Sequence, residues 1–254
     1  MDAEPSPRPF VRILRLPVHA ITRAEALQAC VEIAEGTAPP GYVVTAGALL
    51  ATQAQKSDPL VGLAEQAALV VADGAGLVWA ARRRGFRTVE RIPGIELCDE
   101  LLSIAGKRGW RVFLVGARPA AILRAIVNLE DAHPGLRISG FHDGYFLPNS
   151  PEEALIVKAI GLVKPHLLLV GLGQPRQEEW CRAVIPGTGV RLAIGIGGSF
   201  DVWAGDVVRA PRWMGRAGLE WAWRLFRQPW RAGRMRNLPG FVRNVLREER
   251  TARS

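Results

Sequence analysis

The chain has 254 residues, 48% of them hydrophobic and 22% charged, with 27 glycines, a balance that belongs to a globular protein and excludes collagen-like, coiled-coil and disordered chains. A chain of this length buries about 70–75% of its unfolded surface, so it needs no disulfide framework or structural metal to hold it. Its formal charge is +9, from 33 basic against 24 acidic residues, and that excess is not evenly spread.

The start, Met1-Asp2-Ala3-Glu4-Pro5, is acidic where a secretory leader would be basic and then apolar, and residues 1–10 are expected to be disordered. No run approaches the 18 or more apolar residues of a membrane span, so the expectation is a protein on the cytosolic side. Cys30, Cys98 and Cys181 form no C-x-x-C pair, and His19, His133, His142 and His166 have no zinc-type spacing. Strands are expected at 11–18, 42–46, 68–73, 111–116, 136–140, 166–171 and 192–197, several of them nearly continuous apolar runs of the kind covered on both faces. Helical patterns lie between them. Thr22-Arg23-Ala24-Glu25 and Ser150-Pro151-Glu152-Glu153 both fit a capping box, and a helix over 122–132 stops before His133-Pro134-Gly135. This alternation predicts one α/β domain over 11–206, a Rossmann-like, mostly parallel sheet with helices on both faces.

Residues 207–254 form a basic, helical C-terminal appendage. They carry 12 arginines against Glu220, Glu248 and Glu249, so the whole excess of +9 resides there and residues 1–206 balance at 21 basic and 21 acidic. Trp213, Trp221, Trp223 and Trp230 are half of the chain's 8 tryptophans. A helix is expected over about 212–227, broken at Pro229 and followed by shorter helices around Pro239-Gly240. Such a tail on a neutral body suits an anionic partner: a membrane surface, a nucleic acid or a phosphorylated ligand. A solvated terminal helix is the plainer alternative, though four indole rings need apolar surroundings.

Four expected strands end in glycine-rich or acidic loops: Ala72-Asp73-Gly74, Val115-Gly116-Ala117, Gly171-Leu172-Gly173-Gln174-Pro175 and Gly195-Ile196-Gly197-Gly198. A parallel sheet gathers them at one edge, where glycines allow close backbone approach to a nucleotide-type ligand. Neither a complete G-x-G-x-x-G fingerprint nor a P-loop is present. Asp73, at a strand end, reaches a cleft as a general base or caps the helix starting near Gly76.

The segments Val71-Ala72-Asp73-Gly74, Glu90-Arg91-Ile92-Pro93-Gly94, Gly140-Phe141-His142-Asp143-Gly144-Tyr145-Phe146, Gly171-Leu172-Gly173-Gln174-Pro175-Arg176-Gln177-Glu178 and Gly197-Gly198-Ser199-Phe200-Asp201 occur in one order. Arg209-Ala210-Pro211 and Glu220-Trp221-Ala222-Trp223-Arg224-Leu225-Phe226-Arg227 follow them. Over about residues 11–236 this resembles the WecG/TagA/CpsF family, glycosyltransferase family 26. The resemblance implies an inverting enzyme that moves an N-acetylmannosamine-type sugar (ManNAc or ManNAcA) from a UDP donor. The acceptor is an undecaprenyl-diphosphate-linked amino sugar in bacterial surface or exopolysaccharide assembly. It also implies a peripheral protein on the cytoplasmic face of the plasma membrane, with no metal and no cofactor.

By the resemblance Asp73 is the catalytic base, Thr45 the active-site threonine and Arg91 a substrate-binding arginine. Where the family has threonine, any residue, then asparagine, this chain has Thr45-Ala46-Gly47 and lacks the amide. Gly116, Gly171 and Gly173 are expected to line the substrate cleft. Gln177 is placed to contact the donor sugar, and Glu178 either to join it or to compensate the helix dipole. Asp201 accepts from ribose hydroxyls or is an ordinary turn aspartate. No D-x-D sequence is present to hold a metal on the diphosphate, which shifts charge neutralisation to arginines; Arg224, Arg231 and Arg234 match those of the family's appendage, Arg224 as a catalytic group. A homo-oligomer is compatible with this pattern. Two alternatives stand beside it: the same family with another hexosyl donor such as UDP-glucose, and a basic-tailed nucleic-acid-binding module, which base-stacking and groove-reading motifs do not support.

Overall fold

The computed structural model describes residues 8–211, 214, 223, 226 and 237–251. Six strands form its main sheet: β3 (Gly41–Ala46), β4 (Leu69–Ala72), β5 (Val112–Gly116), β6 (Ile138–His142), β7 (Leu167–Gly171) and β8 (Leu192–Gly195). Their order is β4-β3-β8-β7-β5-β6, and every neighbouring pair is parallel. The residues expected as one strand over 11–18 instead make a hairpin, β1 (Phe10–Ile13) against β2 (Leu16–His19). Leu14 and Arg15, at φ 50° and 72°, close it as a two-residue turn whose hand suits twisted strands.

Alternate side chains of each central strand enter opposite cores, which is why these segments are apolar at nearly every position. Val44, Val70, Leu168 and Ala193 face the first core with the hairpin and helices α2 (Ala48–Ala54), α3 (Asp58–Glu65), α4 (Ala75–Arg83), α7 (Pro151–Val163) and α8 (Arg176–Thr188). Val43, Val71, Leu169 and Ile194 face the second with α1 (Arg23–Glu35), α5 (Gly94–Arg108), α6 (Pro119–Ala132) and α9 (Ser199–Trp203). The fold is therefore the expected α/β sandwich with helices on both faces.

Local signals set most of the boundaries. Thr22 and Glu25 form the complete capping box at α1. At α7 only half of one forms: Ser150 accepts from Glu153 N, while the Glu153 carboxylate turns to Asn149 N and the Trp180 indole. The helix expected over 122–132 begins earlier, at Pro119, where a proline at the first turn loses no hydrogen bond. β6 begins two residues later than expected, with Glu130 Oε1 accepting from Ile138 N at 2.8 Å.

The C-terminal helix α10 (Asn237–Thr251) lies against the first core. Phe241 and Val245 are fully buried, and a Cβ placed on Gly76 of α4 would stand 3.3 Å from the Phe241 ring. Asn244 Nδ2 donates to Gln55 Oε1 at 2.8 Å, and Glu248 and Glu249 pair with Arg84 and Arg83. The exposed face of α10 carries Val242, Arg243, Arg247 and Arg250. No helix of the described residues is long and apolar enough to cross a membrane.

Candidate active site

Six parallel strands place all their carboxyl ends on one edge, where open α/β sheets bind ligands. Asp73 follows β4 directly and is half-buried. Its N–H donates to Ala46 O at 2.9 Å, tying it to the end of β3, and its Oδ1 accepts from Gly94 N, the first residue of α5, at 3.3 Å. Ile92 N donates to Ala72 O at 2.7 Å, which holds the 91–94 segment beside the Asp73 loop. The N-cap of α4 is Gly74, with no side-chain cap bond, so Asp73 is not the cap of that helix. Its carboxylate is turned to α5.

Thr45, near the end of β3, is buried. Its Oγ1 donates to Gly195 O at 2.8 Å, and its methyl packs on Gly94, where a Cβ would approach Cγ2 to 2.7 Å. It thus locks β3, β8 and the start of α5 together. Gly47, one step further, caps α2 with no side-chain bond, and a Cβ there would meet no atom within 4 Å.

The β7 loop supplies a buried polar floor. Gln177 is 0% exposed and Glu178 1%. Glu178 Oε1 accepts from Gln177 Nε2 at 2.9 Å and from Gln174 Nε2 at 3.1 Å. Gln177 Oε1 takes Gly197 N at 2.9 Å, and Gln174 Nε2 also reaches Thr45 O at 3.0 Å. One carboxylate therefore orients two amides that grip the β3 and β8 loops. Its Oε2 is buried with no partner, and burial pushes the acid up to about 7. This corrects the expected roles: both ends of the Gln177 amide are engaged beneath the loops, and Glu178 is no exposed dipole cap.

The loop glycines have structural reasons. A Cβ on Gly116 would sit 2.7 Å from Gly171 O, and one on Gly171 would sit 2.7 Å from the Phe200 ring and 2.9 Å from Gly197 O. The β5, β7 and β8 loops could not approach so closely with larger residues. Gly173, at φ 79°, has open space around its missing side chain. Asp201 lies half-buried in the first turn of α9.

A cluster that sequence reasoning missed lies beside Asp73. Glu96, in the first turn of α5, pairs with Arg23 at 2.8 Å, with Arg91 at 3.9 Å and with Arg209. Three guanidinium groups around one carboxylate leave this end of the sheet net positive, although Glu100 also pairs with Arg23. The signal was long-range: 73 and 113 residues separate Glu96 from Arg23 and Arg209, and only the fold joins them. Arg209 and the Trp223 indole, which donates to Val208 O at 3.1 Å, bring the start of the tail to the Asp73 side. Arg224, Arg231 and Arg234 lie outside the described residues.

A glycine-lined edge with a held carboxylate and a cationic flank is the site of an enzyme acting on an anionic, nucleotide-type substrate. From residue 11 to residue 254 the chain matches the glycosyl transferase WecG/TagA/CpsF family, and it belongs to that family as a glycosyltransferase. It is 37% identical over 188 residues to the N-acetylglucosaminyldiphosphoundecaprenol N-acetyl-beta-D-mannosaminyltransferase of Bacillus subtilis (strain 168), covering 73% of this chain and 71% of that one. To the protein of the same name from Staphylococcus aureus (strain MW2) it is 34% identical over 209 residues, covering 82% of this chain and 81% of the relative.

Proposed function

We propose that this glycosyltransferase moves an N-acetylmannosamine-type sugar from a UDP donor to an undecaprenyl-diphosphate-linked amino sugar, with inversion. It works on the cytoplasmic face of the membrane in surface-polysaccharide assembly. The observation that carries the reading is the Asp73 carboxylate, held by Gly94 N and flanked by Arg91, in a chain whose relatives bear that activity in their names.

In this reading the acceptor hydroxyl gives its proton to Asp73 as its oxygen bonds the anomeric carbon from the face opposite the diphosphate. The bond from that carbon to the diphosphate oxygen breaks, and its electron pair leaves with UDP. Arg91, with Arg224, Arg231 and Arg234 from the tail, spreads the developing negative charge, and no divalent ion is required. Gly116, Gly171 and Gly173 let the backbone approach the nucleotide, and Asp201 takes the ribose hydroxyls. Thr45, Gln177 and Glu178 act through the loops they hold and are positioning residues. The basic tail meets anionic lipid, at about 1 kcal/mol per engaged arginine.

The test is product analysis with a panel of UDP-sugars and a short-chain diphospho-lipid acceptor. UDP-ManNAc turnover with an inverted linkage is expected. Exclusive use of UDP-glucose or another hexosyl donor would replace the sugar and keep the reaction class.

A further inference from the structure

The two edges of the main sheet are finished differently. At the β4 edge Val70 N donates to His19 Nδ1 at 3.0 Å and Ala72 O accepts from Ile92 N, so the hairpin and the 90–92 segment close it. At the other edge β6 pairs only with β5, and among the described residues no strand lies beyond it. Glu130 caps one amide there, that of Ile138. β6 itself, Ile138-Ser139-Gly140-Phe141-His142, holds neither lysine nor proline, the residues that commonly guard an open edge.

The helices on either side turn apolar flanks to that edge. Glu130 fixes which flank of α6 faces β6, and on it, one and two turns back, stand Val127 and Leu123. On the opposite sheet face Glu152 approaches His142 Nε2 at 3.8 Å and fixes the corresponding flank of α7, which continues through Leu155 and Leu162. These four side chains and Phe141 are between 46% and 78% exposed, although each is a large hydrophobe. Exposed apolar side chains gathered from three successive layers mark a surface that another surface covers.

We propose that this rim is a two-fold interface between copies of this chain, with β6 pairing antiparallel to the partner's β6 about Gly140. An axis perpendicular to the sheet sets α6 beside its copy and α7 beside its copy, so Leu123 and Val127 meet their equivalents on one face, and Leu155 and Leu162 theirs on the other. Charge complementarity selects the second copy as occupant and also selects the register. Pairing about Gly140 sets Arg137 opposite Asp143 at both ends of the strand, two opposite-charge pairs generated by one two-fold axis. The result is a continuous twelve-stranded sheet with both catalytic edges left open, since the rim lies at the end of the strand order and the site near β3, β4 and β8.

The full chain, kept in mild detergent, is examined by sedimentation equilibrium over the micromolar range. A mass of two chains is expected. Leu162→Glu and Val127→Glu, at exposed positions where the fold is not at risk, weaken association at least tenfold with circular dichroism unchanged. Arg137→Asp or Asp143→Arg alone also weakens it, and the double exchange restores it. A wild-type monomer throughout the range overturns the proposal, and if Leu162→Glu then also reduces binding to anionic vesicles, the rim belongs to lipid. A dimer indifferent to both glutamates places the interface elsewhere and overturns it as well. Failure of the double exchange to restore association overturns the register about Gly140.

Discussion

Gln177 Nε2 donates to Glu178 Oε1 at 2.9 Å while the other end of the same amide holds Gly197 N, also at 2.9 Å. The pair is fully buried, yet it reaches two loops of the catalytic edge, so the protonation of one carboxyl bears on the shape of the site.

Burial raises Glu178 from 4.5 to about 7, so the folded protein holds its proton where the unfolded chain has released it. The stability tied to the neutral acid is complete below about pH 4.5 and is lost as the pH rises through 7, a change on the order of 3 kcal/mol. Glu178→Gln mimics the neutral acid and retains an oxygen for both amides. Urea unfolding should find the variant no better than wild type at pH 4.5 and more stable at pH 8. A difference independent of pH would mean the acid does not titrate in this window.

Asp73→Asn retains an oxygen to accept from Gly94 N but removes the base. The fold should survive, with turnover reduced by roughly 10²–10⁴ and UDP affinity nearly unchanged. Steady-state kinetics together with UDP titration separates these quantities. Wild-type turnover would remove Asp73 from the chemistry.

Much of this architecture is legible from local pattern. Apolar runs give the strands, and glycine- or acid-terminated strand ends give the edge on which Asp73, Thr45 and the β7 loop meet. What local pattern does not contain is pairing at a distance. Nothing near Glu96 announces that Arg23 and Arg209 will share its carboxylate, because that depends on how α1, α5 and the chain after α9 cross. The hairpin was hidden because Leu14-Arg15 adopts a left-handed turn without the glycine or asparagine that usually signals one. Gln177 and Glu178 read as exposed polar residues at a helix start, and only their burial shows that they face inward. Phe241 and Val245 sit in a sequence dominated by arginine, where composition points to solvent or lipid and the periodicity of α10 points to the core.

That inward face of α10 carries a stability prediction. Phe241 is fully buried against α2 and α4, so Phe241→Ala should destabilise the protein by about 3–5 kcal/mol, read by thermal or urea unfolding. A chain ended at residue 206 retains every strand but loses Phe241, Val245 and the pairs of Glu248 and Glu249, and should unfold at markedly lower temperature. An unchanged midpoint would show that α10 adds nothing to the body.

The tail arginines separate lipid binding from chemistry. Arg209 pairs with Glu96 and the Trp223 indole meets Val208 O, so the chain enters the tail beside Asp73 and Arg91. If Arg224, Arg231 and Arg234 neutralise the diphosphate, alanine at one or more of them should lower kcat/KM on a water-soluble, short-chain acceptor by roughly 10²–10³, the scale of losing a charge-stabilising donor. Vesicle binding should fall much less, because several other arginines remain to meet anionic lipid. EDTA should leave wild-type turnover intact, since the guanidinium groups do the work a divalent ion would otherwise do. Three single variants with wild-type turnover on the soluble acceptor and weakened vesicle binding would assign those arginines to the membrane instead. Loss of activity on chelation, restored by magnesium or manganese, would show that the diphosphate is met by a metal.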